Sequence, residues 1–232
     1  MSSAILEAEN YHRWVFSLFE SYLRGSVLEI GMGYGQYTPW IAGRCGELTA
    51  VDIDPTLIAG MKNKLPSNAH TVLADLSSID FPAQVGNNIY SFAVCLNVLE
   101  HIEDDAAAMK NLYRVLEPGG GLFVLVPAHA SLYGTMDRLA GHQKRYSVPQ
   151  LICLAKDAGF EIVHSEYLNP IGGVGWWLNA KICRPKTLSD ISVNRQIVLF
   201  DHYLIPLSKM LNRWSRKLFG QSVWLNVRRP VL

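Results

Sequence analysis

Val27-Leu28-Glu29-Ile30-Gly31-Met32-Gly33-Tyr34-Gly35 is the stretch on which the fold turns. A short apolar run, Ser26–Ile30, passes directly into three glycines at alternate positions, and residues 37–45 then carry a helical pattern. Strand, glycine turn and helix in that order open a crossover unit of a parallel sheet. Glycines there let the chain reverse sharply and let a ligand approach the main chain with no side chain in the way. Nucleotide sites and purely structural turns share such loops, so the next acid matters. Asp52 follows a second apolar run, residues 47–51, near the roughly 20-residue offset at which doubly wound folds place a carboxylate on ribose hydroxyls. Asp54, just before Pro55, has instead the position of a helix cap.

Outward from this core the alternation continues. Residues 70–73, 90–96 and 121–126 read as further strands, and 55–65 and 104–116 as helices, the latter closed by Glu117-Pro118-Gly119-Gly120. A short helix over 148–158 stops at Gly159, and residues 160–167 form a sixth strand. Then the pattern breaks. Residues 169–175 (NPIGGVG) read as loop, and 176–186 as an apolar segment closed by Pro185. From Gln196, Ile197, Phe200, Leu204, Leu207, Leu211, Trp214 and Leu218 recur at steps of three and four, the stripe of an amphipathic helix that Pro206 should kink. Residues 222–227 (SVWLNV) read as a last strand.

Bulk properties bound the function. The chain has 232 residues, 49% hydrophobic and 18% charged, which suits one elaborated globular domain and excludes disorder. The N-terminal residues lack the basic start and apolar run of a signal peptide, and no stretch reaches the roughly 20 apolar residues of a membrane span. The four cysteines are scattered without CxxC spacing, so neither a disulfide framework nor a metal site is read from them, and a reducing, cytoplasmic setting is expected. The net charge of +1 is uneven: residues 180–232 carry ten Lys and Arg against Asp190 and Asp201. That basic tail suits an anionic surface or ligand, with a solvated face as the plainer reading.

The identity of the nucleotide is open to test in the same loop. A dinucleotide fingerprint needs a small residue where Gln36 stands, and the spacing is GxGxG rather than GxGxxG. No pyrophosphate needs cradling if the ligand is a nucleoside carrying an amino acid, and Glu29 can then face a positively charged amino group.

Together with Ala50-Val51-Asp52-Ile53-Asp54, Ala74-Asp75-Leu76, Asn97-Val98-Leu99-Glu100-His101-Ile102 and Leu116-Glu117-Pro118-Gly119-Gly120, the opening motif resembles the class I, Rossmann-like S-adenosylmethionine-dependent methyltransferases over about residues 25–127. The resemblance implies a seven-stranded, mostly parallel sheet in the order 3-2-1-4-5-7-6, its last strand antiparallel, with helices on both faces as a three-layer sandwich. It also implies roles: Gly31, Gly33 and Gly35 along the methionine part of the cofactor, Glu29 at its amino end, Asp52 on the ribose, Ile53 against adenine, Asp75 and Leu76 beside the adenine amino group, and Asn97 near the sulfonium. S-adenosyl-L-homocysteine would be the product.

On the acceptor side, methyl transfer from a sulfonium needs positioning and exclusion of water more than acid or base, though a hydroxyl acceptor gives a base something to do. His101 and His142 lie in connections after strand ends and are the candidate catalytic residues, each with a capping or structural role as the alternative. His129, Tyr133, Asp137, Arg145 and Tyr146, in residues 127–147, form a loop suited to a polar or anionic acceptor. This loop resembles that of bacterial small-molecule methyltransferases found with glycosyltransferases. Tyr11, in an N-terminal helix within residues 1–24, is expected to close over the cofactor or to pack into the core.

The chain is thus expected to be a single domain over 1–232, with its core in 25–169 and 220–229 and a helical insertion at 170–219. Its expected activity is methyl transfer to a small or medium-sized organic acceptor, at oxygen. The alternatives are a nicotinamide-dependent oxidoreductase and a non-catalytic module binding polyanions through the basic tail. Nucleic acid is disfavoured as substrate because no NPPY-like tetrapeptide follows strand four. The helix at 196–219 is expected to cover the sheet, with a lid, a homodimer face or a peripheral membrane contact as the other readings for it and for Trp176 and Trp177.

Overall fold

The computed structural model describes residues 8–62, 64–85, 90–178 and 198–231. Seven strands form one sheet: β1 (Ser26–Ile30), β2 (Glu47–Asp52), β3 (Ala69–Leu73), β4 (Tyr90–Leu96), β5 (Leu116–Pro127), β6 (Glu161–Leu168) and β7 (Ser222–Arg228), in the order 3-2-1-4-5-7-6. β1 to β5 pair in parallel, and β7 runs antiparallel between β5 and β6. The expected architecture is therefore the observed one.

The pleat builds two cores from one sequence. On β5, Leu122, Val124 and Val126 enter one apolar cluster, whereas Phe123 and Leu125 enter another on the opposite face. The first is covered by helices α5 (Asp105–Val115) and α7 (Val148–Asp157), through Met109, Leu112, Leu151 and Ala155. The second is covered by α1 (Glu9–Phe16) and α2 (Thr38–Ala42), through Trp14, Val15 and Ile41. Helix α3 (Pro55–Met61) begins where the sequence placed its cap, the Asp54 side chain accepting from the Thr56 amide at 2.8 Å. Helix α4 (Phe81–Gln84) is a single turn that no periodicity announced.

Three expectations are corrected. Residues 169–175 are not loop: Asn169, at φ 62°, starts helix α8 (Pro170–Leu178), its side chain accepting from the Gly172 amide at 3.0 Å. The loop at 127–147 contains helix α6 (Thr135–Ala140), closed by Gly141 in the left-handed conformation. The third correction concerns the striped helix. A π-turn, Phe200–Leu204, leads into α9 (Ile205–Ser215), and Pro206 falls in the first turn of α9, where an amide has no intrahelical partner to lose. The face of this segment turned to the protein is Asp201, Ile205, Ser208 and Asn212, not the apolar stripe. Ser208 and Asn212 bond Asn169, and Asp201 accepts from the amides of Asn10 and Tyr11 at 3.0 and 2.9 Å. Polar anchoring of the helix turns the stripe outward, so Trp214 is 80% exposed and Leu218 78%. Ile197 and most of the apolar segment 176–186 lie outside the described residues. Among the described residues no helix is long and apolar enough to cross a membrane.

Candidate active site

The carboxyl ends of β1, β2 and β4 converge on one side of the sheet, where open α/β sheets hold ligands. Gly31, Gly33 and Gly35 have φ of 70°, 56° and 79°, so the turn after β1 requires left-handed backbone at each. A Cβ on Gly31 would fall 2.4 Å from Val98 Cγ2, whereas on Gly33 it would meet only Gln36 Oε1 at 3.6 Å. Gly33 thus offers bare backbone to a neighbour, while Gly31 lets β1 and the β4 connection approach. The Gly33 amide donates to Asp52 Oδ2 at 2.9 Å, and Asp52 Oδ1 accepts from the Asp54 amide at 3.0 Å. Turn and aspartate therefore stand side by side, and Ile53 beside them is 66% exposed.

Glu29 lies beneath this turn, and its Oε2 is buried with no hydrogen-bond partner. Burial above all, with the charge of Asp52 adding to it and the Thr38 hydroxyl opposing it, raises the Glu29 pKa to about 8. A buried carboxyl group with one oxygen lacking a partner, below a bare glycine turn, fits a ligand that carries an ammonium group beside a nucleoside. Asp75 sits at the turn after β3, its Oδ1 accepting from the Ser77 amide and hydroxyl at 2.8 and 2.7 Å, and Leu76 is buried in the core. Asn97 ends β4 with φ 53° and its amide bonded to Leu125 O at 2.8 Å, a left-handed conformation that asparagine tolerates better than most residues. Tyr11 reaches in from α1. Its phenol pKa is raised by burial, and the Ser222 hydroxyl and Glu100 both act on it.

The acceptor side is built by the connection after β5. Asp137, fully buried, accepts from Arg145 Nε at 2.6 Å, His142 Nδ1 at 3.0 Å, the Gly134 amide at 2.9 Å and Trp176 Nε1 at 3.1 Å. Burial alone would raise its pKa, but His142 and Arg145 hold it below the usual range. The Arg145 guanidinium also donates to Ala128 O at 2.8 Å and lies over the Trp176 ring, so its donors serve the loop's own architecture. Tyr146 donates to Leu99 O and Asp105 Oδ2 at 3.1 and 2.8 Å, bracing the loop against the β4 connection. Tyr133 donates to His142 O at 2.9 Å. His129 is apart from this group in role: its ring stacks between Tyr167 and Phe219, with φ at 60°.

His101 and His142 are brought together, their rings edge to face with centroids 5.0 Å apart. His101 Nδ1 lies 3.1 Å from Gly141 O. A carbonyl only accepts, so Nδ1 carries the proton and Nε2 keeps its lone pair. His142 Nδ1 lies 3.0 Å from the Asp137 carboxylate and donates to it. Burial first, then His142, lowers the His101 pKa, which keeps that imidazole neutral at pH 7. Reasoning from sequence missed two members of this region, Glu100, buried beside the histidines, and Asp201, whose carboxylate caps α1; Trp176, read there as a lid or contact residue, donates to Asp137 and lies under Arg145. A cleft of about 350 Å³ between Gly46, Glu47 and residues 67–70 opens at the other end of the strands, away from all these groups.

Comparison with known proteins agrees with this geometry. Residues 8–165 match the family described as "Methyltransferase domain". An rRNA adenine N-6-methyltransferase of Limosilactobacillus reuteri is 23% identical over 218 residues, covering 81% of this chain and 87% of that protein. A probable S-adenosylmethionine-dependent methyltransferase of Mycobacterium tuberculosis is 28% identical over 162 residues, covering 67% of this chain and 57% of its own length. Among solved structures, the N-methyltransferase NodS of Bradyrhizobium japonicum, in complex with S-adenosyl-L-homocysteine, superposes with a TM-score of 0.59 at 16% identity, covering 97% of this chain and 88% of that one.

Proposed function

The chain belongs to the methyltransferase-domain family and is an S-adenosylmethionine-dependent methyltransferase, and from that premise we propose that it methylates an oxygen of a small or medium-sized polar acceptor. The nicotinamide and non-catalytic alternatives fall away with the family. The carrying observation is His101 at the carboxyl end of β4, its Nδ1 held by the Gly141 carbonyl, its Nε2 left as an acceptor and its pKa lowered by burial, with His142 held beside it by Asp137. A neutral imidazole so oriented takes a hydroxyl proton; an amine acceptor, once neutral, makes no such demand.

In this reading Glu29 binds the cofactor's ammonium end, Gly31, Gly33 and Gly35 admit its methionine portion, and Asp52 and Asp75 hold ribose and adenine, with Ile53 and Leu76 beside the ring. The bound cofactor supplies an electrophilic methyl group on a sulfonium. Asn97 and Tyr11 shape the space between cofactor and acceptor. His142, oriented by Asp137, and His101 receive the acceptor's hydroxyl and withdraw its proton, and Tyr133 and Arg145 keep that loop rigid. His129 and Tyr146 support the acceptor loop from behind. The outward stripe of α9 supports contact with an apolar partner surface, and residues 1–232 act as one domain.

The test is transfer of labelled methyl to a panel of phenols, sugars, carboxylic acids, amines and RNA. Label on oxygen of a small hydroxylated compound, lost in His101→Ala with His142→Ala, is expected. Label confined to amines or RNA overturns the proposal.

A further inference from the structure

We propose that Glu100, His101 and His142 form a binding site for one divalent transition-metal ion. Glu100 is fully buried, and neither carboxylate oxygen has a hydrogen-bond partner. A buried carboxyl group without a hydrogen-bond partner is costly, the charge of Arg145 only partly offsets that cost, and an ion bound to its oxygens removes the rest. Glu100 Oε1 lies 3.8 Å from His142 Nε2, beyond hydrogen-bond length. Two ligands on one tetrahedral ion, each at about 2.0–2.2 Å, stand roughly 3.3–3.5 Å apart, so a shift of a few tenths of an ångström seats an ion between them. One ligand atom from each of Glu100, His101 and His142 lies within 4.8 Å of the other two.

The surroundings are those a metal site requires. Ligating histidines donate their second ring nitrogen to a carboxylate or carbonyl, and here His142 Nδ1 meets Asp137 Oδ1 at 3.0 Å and His101 Nδ1 meets Gly141 O at 3.1 Å. Asp137 is itself fixed by Arg145, Trp176 and the Gly134 amide. Burial grades from Glu100, fully enclosed, through His142 to the exposed His101. Three protein ligands arranged this way leave a fourth position open on the outer side, the pattern of catalytic rather than structural sites. Two imidazoles and one carboxylate select Zn²⁺ or a similar first-row ion over Mg²⁺. No spacing rule announces the trio, because Glu100 and His142 lie 42 residues apart.

The site does not depend on the acceptor; its consequence does, and rests on the function proposed above. A hydroxyl bound at the open position becomes a metal alkoxide or phenoxide, its O–H bond breaking and the proton leaving to water. Methylation at oxygen stands either way, but with the ion present the imidazoles hold the metal in place of taking the proton themselves, and the acceptor hydroxyl occupies the single open position.

The experiment uses the full chain, stripped with a chelator and titrated with Zn²⁺ by calorimetry and with Co²⁺ by visible absorption. One ion per chain and an intense four-coordinate Co²⁺ spectrum are expected. Glu100→Gln and His101→Ala should each weaken binding at least tenfold and abolish the spectrum, and Asp137→Asn should weaken it roughly 10- to 100-fold. S-adenosyl-L-homocysteine binding and melting temperature, measured in parallel, show that the variants fold. Absent Zn²⁺ binding, or a Co²⁺ spectrum unchanged in folded Glu100→Gln, overturns the site. Turnover on oxygen that resists the chelator and still needs His142 also overturns it, while leaving the proposed methylation intact.

Discussion

The Gly33 amide and the Asp52 carboxylate are joined by a 2.9 Å hydrogen bond, which ties the turn after β1 to the end of β2. The second oxygen of Asp52 accepts from Asp54, so one side chain sets both turns. Asp52→Ala is expected to raise the dissociation constant for S-adenosyl-L-homocysteine about 10- to 100-fold, since charged-group hydrogen bonds contribute about 1.5–3 kcal/mol. Calorimetry decides: unchanged affinity in a folded variant removes Asp52 from the cofactor site.

Glu29 makes cofactor binding pH-dependent. Burial raises its carboxyl pKa from the ordinary 4.5 to about 8, which leaves it protonated at pH 7. A folded-state pKa raised in this way contributes stability that is complete below the ordinary value and is lost as pH rises through about 8. An ammonium group placed against it favours the ionised form, so binding at pH 7 should release about one proton. Calorimetry in buffers of different ionisation enthalpy measures that release, and Glu29→Gln should abolish it. A wild-type release of zero would remove the ion pair with the cofactor.

Gly220 and Gly60 make a contrasting pair. A Cβ on Gly220 would lie 2.3 Å from Leu168 O and 2.6 Å from Leu168 N, main-chain atoms that cannot swing aside. Gly60, inside α3, has nothing within 4 Å. Gly220→Ala should therefore cost about 3 kcal/mol, and Gly60→Ala should gain about 0.5–1 kcal/mol. Thermal unfolding reads both, and equal effects would contradict the packing at the start of β7.

Asp137→Ala strands Arg145, whose side chain is almost wholly enclosed. A loss of about 3–5 kcal/mol is expected, the penalty for an uncompensated buried charge. Urea unfolding should show much of it recovered in Asp137→Ala with Arg145→Met; no recovery would locate the cost in the Gly134 and Trp176 bonds instead.

What could be read in the sequence was what is local. The glycines after β1, the acid ending β2 and the proline and glycines opening β5 act through their own backbone, and their spacing carries the sheet order with it. The insertion misled because periodicity reports only that a helix has an apolar side, not which side docks. Here Asp201, Ser208 and Asn212 bond the amides of Asn10 and Tyr11 and the Asn169 turn, and those partners are about 40 to 190 residues distant. His101 and His142 were each visible, but the role of Glu100 beside them was not, because its significance lies in a burial that only the packed loop creates. Arg145 and Tyr146 looked like free ligands for an acceptor, yet a charged or phenolic residue in a loop is as readily consumed by its own neighbours.

The position of β7 has a consequence for biosynthesis. Residues 222–228 pair with both β5 and β6, which cannot bond each other in its place. The central strands are translated long before this wedge, so half of β5's ladder waits, bare, while residues 128–221 emerge from the ribosome. Sheet closure therefore waits for residues 222–228, and chains stalled before residue 222 present an unpaired apolar edge open to recognition by chaperones.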